Sequence, residues 1–156
     1  MKYPRTAIGA LTLSAAALVS LFTMEGYTGK AIIPVPGDVW TFGFGTTDGV
    51  KMGDSIDPVT AVNRGYRDVV KFEDSIKKCV TAPLYQHEYD AYTKLTYNIG
   101  AGAFCKSTLV KKLNAGDYDG ACEEILRWDR FKGKPLRGLT NRRQEEYKLC
   151  RGSTQP

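Results

Sequence analysis

The pattern of hydrophobic and polar positions begins with an uncharged stretch from Ala7 to Met24, which follows Lys2 and Arg5. As a single helix rising about 1.5 Å per residue, this stretch would reach about 27 Å, just enough to cross a bilayer core. It is rich in Ala, Gly, Ser and Thr, so such a helix would insert only weakly. The pattern predicts an N-terminal signal-anchor over residues 1–24, with both cations in the cytoplasm and the rest of the chain outside it.

Two other interpretations of this stretch stay open. Ala15-Ala16-Ala17 offers the small residues at which an export signal is cleaved, but a cut there would leave an apolar tail from Leu18 to Phe22. The stretch also fits an ordinary helix of a protein core.

After the anchor the pattern changes from helical to alternating. We expect a helix to continue from Glu25 to Ile33, before Pro34 stops it. From Val39 onward bulky residues alternate with small ones, which predicts a pair of strands with a hairpin turn at Asp48-Gly49. The bulky residues are Trp40, Phe42 and Phe44, and the small ones are Thr41, Gly43 and Gly45. The small face suits the floor of a cleft, where a ligand approaches the backbone closely.

The remainder of the chain is predicted to be helical. Asp57-Pro58 combines a capping side chain with proline at the first helical position, and predicts a helix of about twenty residues. Ser107, Asp117 and Thr140 are predicted to cap three later helices. We therefore expect one domain over residues 25–152, with a small lobe at about 25–57, a connecting helix at about 58–79 and a helical lobe at about 80–150.

Composition and charge narrow the class of partner. The chain has 22 basic and 17 acidic residues, a net charge of +5 that favours an anionic polymer or an anionic membrane surface. It has neither a long block of like charge nor an aromatic-basic motif, so we do not expect a nucleic-acid partner. We expect a monomer.

The cysteines and the single histidine limit the chemistry. Four cysteines in an exported chain suggest two disulfides, with three possible connectivities, and buried thiols are the alternative. With His87 as the only histidine and no CxxC spacing, we expect no metal and no cofactor. Carboxylates are the remaining acid-base groups, and hydrolysis of a glycosidic bond uses a carboxylic acid together with a second carboxylate. Glu25, beside the Thr- and Gly-rich strands, is our candidate for the acid.

Five short motifs, in order along the chain, carry a family resemblance. They are Glu25-Gly26, Val39 to Thr47, Tyr97-Asn98-Ile99-Gly100, Ala103 to Leu109 and Gly138 to Arg143. Over about Met24 to Leu149 the chain resembles the phage-type lysozymes, the family of the T-even phage muramidase and the lambdoid endolysins. The resemblance implies an α+β, lysozyme-like two-lobe fold, with a small lobe that carries a β-hairpin, a long connecting helix and a larger helical lobe.

The resemblance also implies residue roles. Glu25 matches the general acid of the family, and Thr41 matches the threonine that positions water. The counts that locate the second carboxylate of the family reach Pro34 and Val35 here, so Asp38, three residues before Thr41, is the nearest candidate; a turn-forming Asp is the alternative. The family's hairpin histidine is replaced by Thr46. Thr47, Tyr97 and Ser107 occupy substrate-contacting positions, although Tyr97 also fits the core and Ser107 also fits a helix cap.

The implied activity is that of a muramidase. It would hydrolyse the β-1,4 bond between N-acetylmuramic acid and N-acetylglucosamine of peptidoglycan and lyse the host cell. The N-terminus is similar to those of signal-anchor-release (SAR) endolysins, which implies an inactive form held in the inner membrane and then released into the periplasm. A lytic transglycosylase and a non-catalytic, membrane-tethered peptidoglycan-binding protein are the alternatives.

Overall fold

A computed structural model describes residues 3–156, and it confirms the expected α+β class. Short antiparallel strand pairs accompany a mainly helical chain. The helices are α1 Ala15–Glu25, α2 Pro58–Cys79, α3 Gln86–Ile99, α4 Ala101–Cys105, α5 Thr108–Asn114, α6 Tyr118–Glu124 and α7 Arg137–Cys150. The strands are β1 Thr28–Ile32, β2 Thr41–Gly43, β3 Arg130–Phe131 and β4 Lys134–Pro135, and 3-10 turns span Ile8–Ala10 and Ile125–Arg127.

The chain divides into two compact units. The small unit comprises Leu18–Lys71. The helical unit combines residues 3–17 with Phe72–Pro156. Helices α1 and α2 each contribute residues to both units.

In the small unit, α1 ends at Glu25 and a strand follows. Gly26 has φ of 69°, a left-handed conformation that terminates helices and that glycine adopts without strain. The expected helical continuation from Glu25 to Ile33 is therefore wrong, because β1 occupies Thr28–Ile32. Strand β1 pairs antiparallel with β2, with Thr28 opposite Gly43 and Ile32 opposite Thr41.

The turn expected at Asp48-Gly49 does form, since the Val50 amide donates to the Thr47 carbonyl oxygen at 3.2 Å, but it is not the hairpin turn, because the chain reverses earlier. Phe42 and Thr46 exchange two backbone hydrogen bonds of 3.1 Å, which closes a turn across Gly43 to Gly45. Gly43 has φ of 61° and Gly45 has φ of 86°. The small residues of the alternating pattern thus supply backbone conformations for this turn.

The predicted helix at Pro58 is confirmed as α2. Asp57 caps it, since its Oδ1 accepts a hydrogen bond of 3.0 Å from the Thr60 amide. Its apolar residues Val59, Val62 and Tyr66 are exposed, and the buried face of its first turns includes Ala61 and Gly65. These small residues let neighbouring elements of the small unit approach the helix backbone closely.

The helical unit holds the larger core. Buried residues from α2, α3, α5, α6 and α7 pack together, with Leu11 from the N-terminal segment among them. Two disulfides link helices within this unit. Cys79–Cys105 links α2 to α4, and Cys122–Cys150 links α6 to α7. The prediction of two bridges is confirmed, and the structure selects one of the three connectivities.

The N-terminal stretch is not one continuous helix in this conformation. It forms the 3-10 turn Ile8–Ala10, an extended break and then α1. Ala17 and Leu21 of α1 are fully buried, as in a core helix. Across residues 3–156, none of the helices has both the length and the apolar character needed to span a bilayer.

Candidate active site

Glu25 is the last residue of α1 and is partly buried in the small unit. One turn earlier, the Phe22 ring stacks on Phe44 with centroids 4.8 Å apart and an interplanar angle of 13°. Tyr27, two residues after Glu25, packs on the same Phe44 ring at 5.7 Å, and its hydroxyl donates to the Ile56 carbonyl oxygen at 2.6 Å. Aromatic contacts on both sides of Glu25 therefore fix the end of α1 against the β2 region.

Helix α2 also packs closely against the end of α1 and against β2. A Cβ atom added at Gly65 would lie 2.8 and 2.9 Å from two carbons of the Phe22 ring. A Cβ added at Gly43 would lie 3.2 Å from Cβ of Ala61. Both distances are shorter than ordinary side-chain contacts. Glycine at positions 65 and 43 therefore leaves the room in which α1 and β2 pack closely on α2.

Thr41 and Asp38 lie at and just before the start of β2. The Thr41 hydroxyl donates to the Val39 carbonyl oxygen at 3.1 Å. Asp38 is exposed, its amide donates to the Val35 carbonyl oxygen at 3.0 Å, and its Oδ1 accepts from the Val39 amide at 2.8 Å. These are the contacts of a turn-forming Asp, which was the alternative interpretation of this residue.

Thr46, at the position where the resemblance predicts a histidine, has a partner that sequence reasoning missed. Its hydroxyl is buried and donates to Oδ2 of Asp68 on α2 at 2.6 Å. Asp68 lies next to Val69 on the buried face of the helix. An acidic residue at a core-facing position requires a hydrogen-bond donor, and that requirement was the available signal.

The other three predicted site residues have clear local environments. Thr47 is exposed, and its carbonyl oxygen accepts from the Val50 amide at 3.2 Å. In the helical unit, Tyr97 is buried and its ring packs edge-on against Phe72 at 5.4 Å. Ser107 caps α5, because its Oγ accepts from the Val110 amide at 3.2 Å and donates to the Phe104 carbonyl oxygen at 2.6 Å. The cap predicted for Ser107 is thus confirmed.

Asn98, next to Tyr97, is oriented by a buried cation that sequence reasoning did not identify. The Arg143 guanidinium donates through Nη1 to Asn98 Oδ1 at 2.9 Å and to the Trp128 carbonyl oxygen at 3.2 Å. Its Nη2 donates to Glu146 at 3.0 Å. Since Asn98 is exposed and its oxygen is engaged, its amide nitrogen is the group presented to solvent.

Burial shifts the pKa values of ionisable groups near Arg143, the partner of Asn98. Desolvation raises the pKa of the Glu146 carboxyl, and the neighbouring Arg143 and Arg142 oppose the rise. Desolvation likewise lowers the pKa of Lys94. Such buried ion pairs are weak evidence for added stability, because desolvation offsets much of the attraction between the charges.

The acid-base groups of residues 3–156 are not arranged as a metal centre. No three His, Cys, Asp or Glu side chains in that range lie close enough together to hold an ion. Ring nitrogen Nδ1 of His87 instead lies 3.1 Å from the Cys150 carbonyl oxygen. Glu25 lies at a helix end whose position is fixed by aromatic packing.

A family model and several characterised relatives match this chain. The family model, described as phage lysozyme, matches residues 23–146. An endolysin from Acyrthosiphon pisum secondary endosymbiont phage 1 is 42% identical and covers 70% of this chain and 78% of its own length. A SAR-endolysin from Pseudomonas phage phiKMV is 34% identical, with coverage of 87% and 86%. An endolysin from Bacillus phage B103 is 31% identical over 89% of this chain, which spans only 54% of that longer protein.

Solved structures give the same result. The endolysin from Escherichia coli O157:H7 phage FAHEc1 is 35% identical, with a TM-score of 0.80 and coverage of 95% of this chain and 98% of its own. The active form of P1 phage endolysin Lyz, 22% identical, has a TM-score of 0.75 with coverage of 96% of both chains. Its secreted inactive form, 20% identical, has a TM-score of 0.51 with coverage of 66% and 74%. The two P1 comparisons establish likeness of fold.

Proposed function

The chain belongs to the phage lysozyme family and is a glycoside hydrolase that acts on peptidoglycan, and we propose that it cleaves the β-1,4 bond between N-acetylmuramic acid and N-acetylglucosamine to lyse the host cell. The observation that carries this assignment is the position of Glu25. It ends α1 between the two aromatic contacts to Phe44, in the Glu25-Gly26 motif that matches the family.

In the proposed reaction Glu25 protonates the leaving glycosidic oxygen as the bond to the sugar carbon breaks. Thr41 positions the attacking water, and a second carboxylate removes a proton from that water on the opposite face of the sugar. We assign the second role to Asp38, the carboxylate nearest to Thr41 in sequence. Its Oδ1 accepts from the Val39 amide, so Oδ2 is the oxygen assigned to the water. Thr47 and Tyr97 are proposed to contact substrate, as is Ser107.

Substitution of the two carboxylates tests these roles. Glu25→Gln keeps the shape of the side chain and removes the proton donor, so hydrolysis of purified cell walls should be lost with the melting temperature unchanged. Glu123→Gln, on an exposed position of α6, is the matched control and should behave as wild type. Wild-type hydrolysis by Glu25→Gln would refute the assignment.

The absence of an ionisable side chain at Pro34 and Val35 favours a second candidate, a lytic transglycosylase acting on the same bond. In that reaction a hydroxyl of the substrate attacks, so no carboxylate is needed to activate water. Asp38→Ala should then retain near-wild-type turnover, and the products should carry anhydro-muramyl ends by mass spectrometry. Reducing-end products together with a large loss of activity in Asp38→Ala support hydrolysis instead.

We also propose that residues 7–24 hold an inactive form in the inner membrane before release into the periplasm. The weakly apolar composition of the stretch supports this, as does its likeness to proteins named SAR-endolysins. The full chain should sediment with membranes of energised cells and become soluble, at unchanged length, after a depolarising agent is added. A chain that stays soluble throughout, or that loses its N-terminus on export, would exclude the anchored stage.

A further inference from the structure

Three buried carboxylates of the helical unit lie outside the proposed catalytic machinery. Glu73 is 6% exposed, Glu88 is 3% exposed and Asp90 is 1% exposed. Carboxylates are rarely buried to this extent unless donors satisfy them. The source of those donors is therefore informative.

Each of the three accepts hydrogen bonds from the N-terminal segment, residues 5–14. Arg5 donates to Glu88 through Nε at 3.0 Å and through Nη2 at 2.8 Å, a bidentate pair. The Leu13 amide donates to Oε1 of Glu73 at 2.6 Å. The amide and the hydroxyl of Ser14 donate to Asp90 at 2.9 and 2.7 Å.

Arg5 has a site built around it. Its guanidinium carbon lies 3.5 Å from the centre of the Tyr118 ring and 4.3 Å from that of Tyr85. The hydrogen bond with Glu88 also raises the pKa of Arg5. A planar cation that contacts two rings and a buried carboxylate is bound by shape as well as by charge.

Backbone and apolar contacts complete the attachment. Thr6 and Leu84 exchange two backbone hydrogen bonds of 2.8 Å. The Gln86 side chain donates to the Thr12 carbonyl oxygen at 2.8 Å, and Leu11 is buried in the helical core. The segment is thus bound along its length by the start of α3 and the residues before it.

We propose that Glu73, Glu88 and Asp90 form a receptor on the helical unit for residues 5–14, with Arg5 as the latch that closes it once the segment has left the membrane. The proposal rests on the membrane-anchored stage of the proposed function. Its occupant is the chain's own N-terminal segment.

The physical basis is that the hydrogen-bond donors of residues 5–14 cannot bind the three carboxylates while the segment is in the membrane. While residues 7–24 span a bilayer, Leu13 and Ser14 lie within it and Arg5 lies on its far side, so none of them reaches the receptor. The three carboxylates then lack these donors. Each keeps a donor from the helical unit, namely the Tyr89 hydroxyl for Glu73, the Tyr85 amide for Glu88 and the Gln86 side chain for Asp90, so each makes fewer hydrogen bonds than in the docked form. Docking of the released segment relieves this, which favours the folded form over the anchored one. Arg5 first orients the anchor and afterwards fastens the segment.

Glu88→Gln separates these two roles of Arg5, because it leaves the sequence of the anchor unchanged. Gln also keeps the start of α3 intact: Glu88 caps it by accepting from the Tyr85 amide at 2.8 Å, and glutamine serves equally at that position. The matched control is Glu124→Gln, which removes the charge of a carboxylate that pairs with Lys112 at 2.8 Å and does not contact residues 5–14.

Hydrogen exchange of the purified full-length protein, without detergent, measures docking directly. In Glu88→Gln, amides of residues 5–14 should exchange about tenfold faster or more, as expected for loss of a charged hydrogen-bonded pair. Glu124→Gln should show wild-type exchange there. Arg5→Met should match Glu88→Gln, and the double variant should exchange no faster than either single variant. Exchange within twofold of wild type in both single variants, or multiplied effects in the double variant, would overturn the latch.

A lysis assay tests the switch. Cells that express Glu88→Gln should hold it in the membrane as they hold the wild type, and should lyse several-fold later after depolarisation, because residues 5–14 dock less firmly. Wild-type lysis timing in a variant whose segment exchanges fast would refute the switch. Failure of the proposed function is distinguishable, since it would appear in the wild type as absence of a membrane fraction or of cell-wall hydrolysis.

Discussion

The close approach of α2 to Phe22 makes Gly65 the sharpest point at which to perturb the placement of Glu25. In Gly65→Ala the new methyl group would lie 2.8 Å from one carbon of the Phe22 ring and 2.9 Å from another. The ring cannot withdraw freely, because it stacks on Phe44 at 4.8 Å. The expected result is a shift of the end of α1, which includes Glu25.

The net stability change follows from two opposing effects. Replacing glycine by alanine inside a helix stabilises by about 0.5–1 kcal/mol, because glycine loses more backbone entropy on folding. Overpacking typically costs about 1–3 kcal/mol. We therefore expect Gly65→Ala to lower the free energy of unfolding by about 1 kcal/mol. Turnover should fall about tenfold to a hundredfold, since small misplacements of a catalytic group have effects of that size.

Urea unfolding and cell-wall hydrolysis measure the two effects. Gly138→Ala in α7 is the control, because an added Cβ there meets nothing within 4 Å, and it should be neutral or slightly stabilising. Phe22→Leu should partly relieve Gly65→Ala, so that the double variant is more stable than the sum of the single effects predicts. The reasoning fails if Gly65→Ala gains stability as Gly138→Ala does and keeps wild-type turnover.

Three further predictions concern stability. Thr46→Val removes the donor to buried Asp68 and should destabilise by about 1–3 kcal/mol in urea unfolding, with a smaller effect if Asp68→Asn is already present. Replacing both cysteines of the Cys79–Cys105 bridge, which are 26 residues apart, by serine should lower the free energy of unfolding by about 3.5 kcal/mol. Reductant should therefore destabilise this variant less than it destabilises the wild type. The hydrogen bond from Lys112 lowers the pKa of Glu124, so the stability that Glu124 contributes is present above its ordinary value of 4.5 and lost as the pH falls through the lowered pKa. The stability difference between wild type and Glu124→Gln should therefore vanish in acid.

Local signals in the sequence were sufficient where structure depends on neighbouring residues. Asp57-Pro58 predicts the start of α2 because a cap and a helix-compatible proline act within one turn. Residues 25–33 were predicted wrongly, because strand β1 depends on pairing with β2 and on the positive φ of Gly26. Local periodicity does not record pairing between residues such as Thr28 and Gly43, which lie in different strands.

The residues of the candidate site also differ in whether local sequence signals point to them. Glu25 and Thr41 remain predictions, which rest on short motifs that resemble those of the family. Asp68 and Arg143 were not identified, because their partners Thr46 and Asn98 are distant in sequence, by 22 and 45 residues. A charged residue at a buried helical position does signal that such a partner exists, but it does not say which residue it is.

Under the proposed membrane-anchored stage, the N-terminal stretch has to serve in two environments, and Ser14 shows the conflict between them. In the folded protein its amide and hydroxyl satisfy Asp90, and its Oγ accepts from the Ala17 amide at 3.1 Å at the start of α1. In a bilayer the same hydroxyl weakens insertion. Ser14→Leu should therefore increase the membrane-bound fraction after depolarisation and lower the free energy of unfolding of the soluble form by about 1–3 kcal/mol, because the cap and a donor to a buried carboxylate are lost. Ser14→Ala should give the stability loss with little added retention. Equal retention by the two variants would show that docking alone, and not apolar character, controls release.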